Sequence, residues 1–228
     1  PVARAQPPAP DHPIVAAVYV SAPPTIDGRL DDSCWSEAAR LEGFGCLDVE
    51  QPPPEETVGL ICVDEAAIYL AVICRDRRPE DIVANETRRN GDIWSDDFVW
   101  FCLEPWHRHK EGYFFNVTPR GVQCEDIPGG SAAKIEWRGD WRAAAARTAE
   151  GWQAEMAIPF AILRYPAGQS SFGFNVGRHF ARERVSARYP AEMGITADPS
   201  RAADLVGLHP PSPAHRPLLM PYLTLGLG

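Results

Sequence analysis

Apolar residues alternate with a period of two in several segments of the chain, and this period is typical of half-buried β-strands. The clearest example runs from Asp92 to Gly121, where two such segments flank a loop at 105–111. Folding the segments back on this loop pairs apolar residues across one face of a hairpin: Leu103 with Tyr113, Phe101 with Phe115, and Val99 with Val117. We expect that face to lie in a hydrophobic core.

The opposite face of the predicted hairpin mixes aromatic and polar side chains. It carries Phe98, Trp100 and Cys102 on one strand and Phe114, Asn116 and Thr118 on the other. An ordinary solvated face does not need so many large aromatic groups. We therefore interpret this face, together with Trp94 just before it, as the candidate ligand-binding surface.

Similar patterns recur along the chain. TVGLICV and AIYLAVICRD flank a loop at 64–67 and predict a second hairpin, and GWQAEMAI places Trp152, Ala154, Met156 and Ile158 on one side. A short helix over Ser33–Ala39 with Asp32 as its N-cap is expected, and FGFNVGRHFARERV is expected to form one long final strand.

Composition agrees with this pattern of strands. The 228 residues are 45% hydrophobic and include 23 prolines and 18 glycines, which suits short strands joined by many turns. We predict an all-β fold, a single antiparallel β-sandwich with one or two short helices. Residues 1–13 are expected to form a flexible Pro/Ala-rich lead, residues 14–208 the sandwich domain, and residues 209–228 a Pro-rich tail or a linker to a C-terminal region.

The net charge limits the classes of partner that the protein could bind, and the cysteine pattern indicates the state of the thiols. The net charge of −9 and the absence of a Lys/Arg block argue against nucleic acid. The six cysteines form no CxxC pair, and most lie in apolar strand patterns, so buried free thiols are favoured over disulfides and no pairing is assigned.

Six segments in order resemble carbohydrate-binding module family 9. They are TIDGRLDDSCW, VDEAAIYLAVICRD, WSDDFVWFCLE, GYFFNVTPRG, GWQAEMAIPFAIL and FGFNV, and the resemblance covers about residues 25–208. The chain is most similar to the variant that precedes a predicted membrane β-barrel in bacterial outer-membrane proteins of unknown function. The resemblance implies a β-sandwich that holds a sugar between two aromatic rings, with structural calcium in some members.

The resemblance also marks departures from the family. Trp94 matches one clamp tryptophan, whereas Thr196 or Ala197 stands where the second ring is expected. Trp100 replaces an acidic residue, and Gly177 replaces a polar one. These replacements suggest a ligand less polar than a simple sugar as an alternative.

The candidate ligand-binding residues follow from these patterns. Trp94 and Trp100 offer stacking faces, while Asn116, Asn175 and His179 offer hydrogen bonds. Arg178 lies in a run with Arg182 and Arg184 that suits a carboxylate or phosphate. For each of these residues a purely structural role is the competing interpretation.

Metal binding and catalysis have weaker signals. His107 and His109 form an HxH pattern without a third ligand at suitable spacing, so a solvated turn is expected. Acidic turns at 27–32 and 64–65 are candidates for calcium, although turn chemistry explains them equally.

Asp96 and Asp97 point to opposite faces and are poorly placed to act as paired carboxylates. No nucleophile with its base is recognisable, and we expect binding rather than catalysis.

Two alternatives remain open at this point. A haem-binding sandwich of an extracellular redox protein would use Met156, Met193, Met220 or the histidines as axial ligands. A docking module would use the apolar hairpin face as its interface. For all three functions we expect a periplasmic, outer-membrane-associated or secreted protein, with a C-terminal membrane barrel as a candidate partner in the full-length protein.

Overall fold

Two β-sheets packed face to face make up the protein. The computed structural model describes residues 12–47, 51–126, 138–191 and 199–212. Within these ranges nearly all regular structure is β-strand, with one α-helix and three short 3₁₀ turns. The predicted all-β sandwich is confirmed.

The strands, in chain order, are β1 (Ile14–Ala16), β2 (Ala39–Leu41), β3 (Gly45–Cys46), β4 (Thr57–Val63), β5 (Ala67–Arg75), β6 (Phe98–Glu104), β7 (Tyr113–Val117), β8 (Gln123–Asp126), β9 (Arg142–Thr148), β10 (Gly151–Pro159), β11 (Ser171–Phe180), β12 (Val185–Tyr189) and β13 (Ala203–Val206). The first sheet has the order β1-β13-β11-β6-β7-β8, with β12 joining β11 to β3. The second sheet has the order β2-β4-β5-β10-β9. All these pairs are antiparallel except β1 with β13.

The core lies between the two sheets. The hairpin of β6 and β7 has the predicted register, and its apolar face is fully buried. From the second sheet, β10 contributes the predicted inward side, which consists of Trp152, Ala154, Met156 and Ile158. Because both sheets bury one face, strand alternation leaves the first sheet with a distinct outer face.

Two predicted elements differ from the structure. The helix α1 spans only Cys34–Glu37, because Ala38 leaves the helical conformation and Ala39 begins β2, while the Asp32 carboxylate accepts a hydrogen bond from Thr25 N instead of capping the helix. The predicted long final strand is divided into β11 and β12 by a turn at 181–184, in which Arg184 has a φ of 55°. No helix in the described ranges has the length and apolar character to cross a membrane.

None of the six cysteines, all of which lie within the described ranges, forms a disulfide, and all are buried, as favoured from their apolar surroundings. Burial raises the pKa of the Cys62 thiol to about 12 and that of the Cys74 thiol to about 12, because a thiolate would be poorly solvated there. These cysteines therefore act as small core residues.

Glu155 on β10 joins the N-terminal turn to the sandwich. Its buried carboxylate accepts hydrogen bonds from Gly28 N at 2.8 Å, Asp27 N at 3.1 Å and Trp35 Nε1 at 2.9 Å. Burial raises the pKa of Glu155. Gly28 has a φ of 89°, a conformation that glycine adopts without strain, and a Cβ there would meet the backbone of Ala145.

The middle of the outer face of the first sheet is filled by Trp100. Its indole lies against Gly177 of the neighbouring strand, so closely that a Cβ at Gly177 would overlap Cε2 and Cζ2 of the ring. The glycine in β11 thus permits the close approach of another group, and that group is a side chain of the protein itself.

We expect Glu155→Gln to lower the free energy of unfolding by about 1–3 kcal/mol. The amide keeps one acceptor oxygen and turns an NH₂ group toward N–H donors, which leaves buried donors unpaired. Urea unfolding followed by circular dichroism measures the change. Glu150→Gln is the matched control, since Glu150 is an exposed ion-pair partner of Arg75, and its effect should stay within about 0.5 kcal/mol. Equal effects of the two substitutions would contradict the anchoring role.

We expect Gly177→Ala to destabilise the protein by about 1–3 kcal/mol, because the added methyl group must displace the Trp100 ring. Gly173→Ala is the matched control on the same strand and face, where a Cβ would lie 3.4 Å from the nearest atom, Glu104 Cβ. Thermal unfolding of both variants tests the prediction. A Gly177→Ala protein as stable as the Gly173→Ala protein would show that the ring moves freely.

Candidate functional site

Trp94 stands at one end of the outer face, just before β6, and is strongly exposed. Its exposed fraction is 69%, the highest of the large hydrophobic residues within the described ranges. A tryptophan that leaves so much apolar surface in water contributes little to folding. Trp94 is therefore the first residue to consider for a binding role.

The loop that carries Trp94 is held by two buried carboxylates. Asp96 accepts hydrogen bonds from Asn85 N and Glu86 N, both at 2.8 Å. Asp97 accepts from Val83 N at 2.8 Å and Ala181 N at 3.3 Å, and burial raises its pKa. Both carboxylates thus bind backbone of the 83–86 segment, and Asp97 links that segment to Ala181 as well.

A cleft of about 190 Å³ opens beside Trp94. Its floor and walls combine aromatic, amide and acidic groups from the 90–98 segment, β7 and β8. The lining residues are Asn90, Gly91, Ile93, Trp94, Phe98, Asn116, Cys124, Glu125 and Asp126. We call this space the Trp94 cleft.

Amide and carboxylate groups supply the polar side of the Trp94 cleft. Asn116 donates from Nδ2 to Cys124 O at 3.2 Å, which leaves its Oδ1 as an acceptor. Asn90 accepts from Glu125 N through Oδ1 at 2.9 Å, which fixes the amide and leaves Nδ2 as a donor. Asp126 is half-buried at the end of β8 and offers two further acceptor oxygens.

Two acidic residues line the Trp94 cleft, and within the described residues Glu125 is the one that forms an ion pair. Arg89 binds it through Nη2 at 2.7 Å and Nε at 3.0 Å, and Trp141 Nε1 donates at 3.3 Å. The carboxylate is thus a structural link between segments, while the chemistry offered to a ligand comes from Asn90, Asn116 and Asp126.

His179 adjoins the Trp94 cleft through Phe98. The His179 ring stacks on Phe98 with centroids 5.0 Å apart, and Trp94 meets Phe98 edge to face at 5.5 Å. Burial lowers the pKa of His179, and its Nδ1 lies 2.9 Å from Ser186 Oγ. The imidazole is therefore neutral at neutral pH and supports the aromatic floor.

Two other predicted ligand residues lie beneath the surface. Trp100 is 1% exposed and Asn175 is 2% exposed, so neither presents a face to solvent. Trp100 Nε1 and Asn175 Nδ2 have no hydrogen-bond partner within the described ranges. In this structure Trp100 packs in a cluster with Phe98 and Cys102 on the outer face.

Arg178 lies on the other side of the sheet from His179. It is fully buried, donates to Arg75 O at 2.8 Å and Glu56 O at 3.3 Å, and its guanidinium stacks over Phe180. Arg182 Nη2 donates to both carboxylate oxygens of Asp76, each at 2.9 Å. Strand alternation turns Arg178 inward, so Arg178 and Arg182 bind groups of the protein itself in this structure, whereas an anion was the predicted ligand of this arginine run.

The remaining sequence candidates also have defined places. Asp27, Asp32 and Asp64 accept backbone N–H groups of their own turns, which is the turn-chemistry alternative to calcium. Met156 is completely buried in the core and cannot reach a haem. The apolar hairpin face is likewise inside the sandwich and is not a docking surface. Met193, Thr196, Ala197 and Met220 lie outside the described residues.

The structure brings together Trp94 and Asn116, with His179 behind them, and adds residues that the sequence analysis did not select. Phe98 was placed on the correct face but not given a role. Asn90 and Asp126 were missed because β8 pairs with β7 and brings the 88–91 turn with it, through Asn90 N to Gln123 O at 3.0 Å. The sequence held two signals for these residues. The Asn90-Gly91 pair is typical of a turn, and the two-residue spacing of Cys124 and Asp126 places both on one face of a strand.

Comparison with known proteins shows the fold. No family model matches the sequence, and no curated protein matches it. A family 9 carbohydrate-binding module from Caldicellulosiruptor kristjanssonii in complex with cellotriose is similar, with a TM-score of 0.57 and 14% identity over 92% of this chain and 99% of that one. A family 9 module from the same organism in complex with glucose has a TM-score of 0.56 and 14% identity, over 84% of this chain and 94% of that one.

A third similar structure is a protein from Bacteroides uniformis for which carbohydrate binding has been proposed. It has a TM-score of 0.60 and 16% identity over 86% of this chain and 99% of that one. At these identities the comparisons show that the chain has the β-sandwich fold of family 9 carbohydrate-binding modules.

Proposed function

We propose that this β-sandwich binds carbohydrate in the Trp94 cleft without catalysing a reaction. The observation that carries the proposal is the 69% exposed indole of Trp94 at the rim of a cleft lined by amide and carboxylate groups. Such a combination is unusual for a surface maintained by folding alone.

The chemistry of a sugar suits this arrangement. A pyranose ring has an apolar C–H face and a rim of hydroxyl groups, and an exposed indole offers a flat apolar partner for the C–H face. Asn116 Oδ1 and the Asp126 carboxylate accept hydrogen bonds from hydroxyls, while Asn90 Nδ2 donates one. A sugar hydroxyl both donates and accepts hydrogen bonds, so a cleft that offers donors and acceptors can pair with it in both ways.

The size of the Trp94 cleft limits the ligand. Its 190 Å³ is below the roughly 300 Å³ at which ordinary small-molecule pockets begin. Trp100 fills the space over Gly177 and closes the route along the middle of the outer face. We infer that the cleft takes one sugar unit, such as a chain end, rather than a run of units.

The similar structures support the ligand class. Two of them are complexes with cellotriose and glucose. Glucose and cellotriose are accordingly the first ligands to test on this chain, followed by other monosaccharides and by apolar ring compounds, which cover the less polar alternative.

We expect Trp94→Ala to weaken sugar binding about tenfold, the loss of roughly 1.4 kcal/mol of stacking. Isothermal titration with glucose and cellotriose measures this, and the two ligands should bind the wild-type protein with affinities within a few fold of each other. Trp94→Phe, which keeps a ring, should retain most of the affinity.

Tyr19→Ala is the matched control for an exposed aromatic ring, since Tyr19 is 40% exposed and does not line the Trp94 cleft. It should bind like the wild type. The carbohydrate proposal fails if no sugar of the panel binds at millimolar concentration, or if Trp94→Ala binds as well as Tyr19→Ala.

We further propose that the domain works in the bacterial cell envelope, in the periplasm, at the outer membrane or outside the cell. This rests on the segments TPRGVQ and EMAIPFAILRYP, which resemble the front domain of outer-membrane proteins. Fractionation of source cells with an antibody against the domain should place it in the envelope or medium. Recovery in the cytoplasmic fraction alone would overturn this location.

A further inference from the structure

Two histidines and an aspartate meet at the far end of the outer face. His107 Nε2 lies 2.8 Å and His109 Nε2 lies 3.2 Å from the same oxygen, Oδ1 of Asp204. The donor atoms of the three side chains all lie within 4.8 Å of one another. The HxH pattern in the sequence thus acquires the third ligand that it lacked, from a position 97 residues beyond His107.

The loop between β6 and β7 is shaped so that both imidazoles reach this point. His107 and His109 have φ values of 50° and 52°, a left-handed conformation that is uncommon outside glycine. The buried carboxylate of Glu104 holds the loop by accepting hydrogen bonds from Arg108 N at 2.6 Å and His109 N at 3.1 Å. The backbone that carries both rings is therefore held in a defined conformation.

Neither histidine lines the cleft that the basic side chains of the loop share. Arg108 and Lys110 alternate with the histidines and line a separate cleft with Trp106. On the histidine side, the ring of His12 stacks on His109 with centroids 4.2 Å apart and an interplanar angle of 14°. His12 Nδ1 is buried and has no hydrogen-bond partner within the described part of the chain. The surroundings of the cluster are rich in imidazole and carry the carboxylates of Asp204 and Glu104.

The donor set selects a class of metal ion. Two imidazole nitrogens and one carboxylate oxygen suit zinc and similar divalent transition metals, whereas calcium prefers oxygen ligands alone. In a tetrahedral site with bonds of about 2.0–2.1 Å, the ligand atoms lie about 3.4 Å apart. The separations of 2.8 and 3.2 Å require only small side-chain adjustments to reach that spacing.

We propose that His107, His109 and Asp204 bind a divalent transition-metal ion of the zinc class and leave at least one coordination position open. The site is distinct from the Trp94 cleft. Gly173, which pairs with both Glu104 and Asp204, is six residues along β11 from His179, or about 20 Å at the strand rise. The ion ties the β6–β7 loop to β13, two elements that contact each other here through side chains.

The test uses the full chain, free of any affinity tag and treated with a chelator. Titration of Zn²⁺ and Co²⁺ by calorimetry should give one ion per chain with micromolar or tighter affinity. His107→Ala and Asp204→Asn should each weaken binding at least tenfold. His209→Ala is the matched control, because His209 is an exposed histidine that stacks on Tyr19 away from the cluster, and it should leave the affinity unchanged.

Two further measurements keep the outcome independent of variant folding. The Co²⁺-loaded wild-type protein should show visible absorption typical of low-coordinate cobalt, and long-range nitrogen NMR should show the Nε2 signals of His107 and His109 shifting with Zn²⁺. Absence of stoichiometric binding, or unchanged Nε2 signals on saturation, would overturn the proposal and identify the cluster as two histidines hydrogen-bonded to one carboxylate.

Discussion

Strand alternation in a sheet that buries one face is the constraint on which the rest of this structure depends. Once Val99, Phe101 and Leu103 pack against the second sheet, the intervening residues of β6 must point outward. The same rule orients β11, where Arg178 is directed into the sandwich and His179 out of it. The side chains available to the candidate site are therefore those that alternate with the core residues along each strand.

The outer face is then divided into two ends by its own packing. Trp100 covers Gly177 and fills the middle of the face, so the described strands carry no continuous groove along their length. At one end Trp94 and Phe98 flank a small cleft, and at the other His107, His109 and Asp204 converge. One bulky side chain over one glycine thus separates two places with different chemistry.

Buried carboxylates hold the loops at both ends. Asp96 and Asp97 accept backbone N–H groups from residues 83–86, and Glu104 accepts them from residues 108–109. Glu155 has the same function for the N-terminal turn. A carboxylate bonded to several backbone donors orders a loop that has no sheet partners of its own. Asp96 and Asp97, which the sequence offered as a carboxylate pair, are thus both bonded to backbone in the fold.

The sequence alone determined the all-β class, several strands and two hairpins, because hydrophobic alternation is a local property of each strand. It predicted the β6–β7 register through the apolar pairs around the 105–111 loop, and it identified Trp94 and Asn116 as ligand candidates. The division of β11 from β12 was missed, since the alternating pattern continues through the turn at Arg184.

Only the tertiary structure decided which residues of different strands become neighbours on the sheet. The burial of Trp100 over Gly177, the arrival of Asn90 and Asp126 at the Trp94 cleft, and the meeting of Asp204 with the HxH loop all join residues from distant strands. Alternation fixes the face on which a side chain lies, but strand order and register fix its neighbours. Those depend on the packing of the whole core, which no local pattern contains.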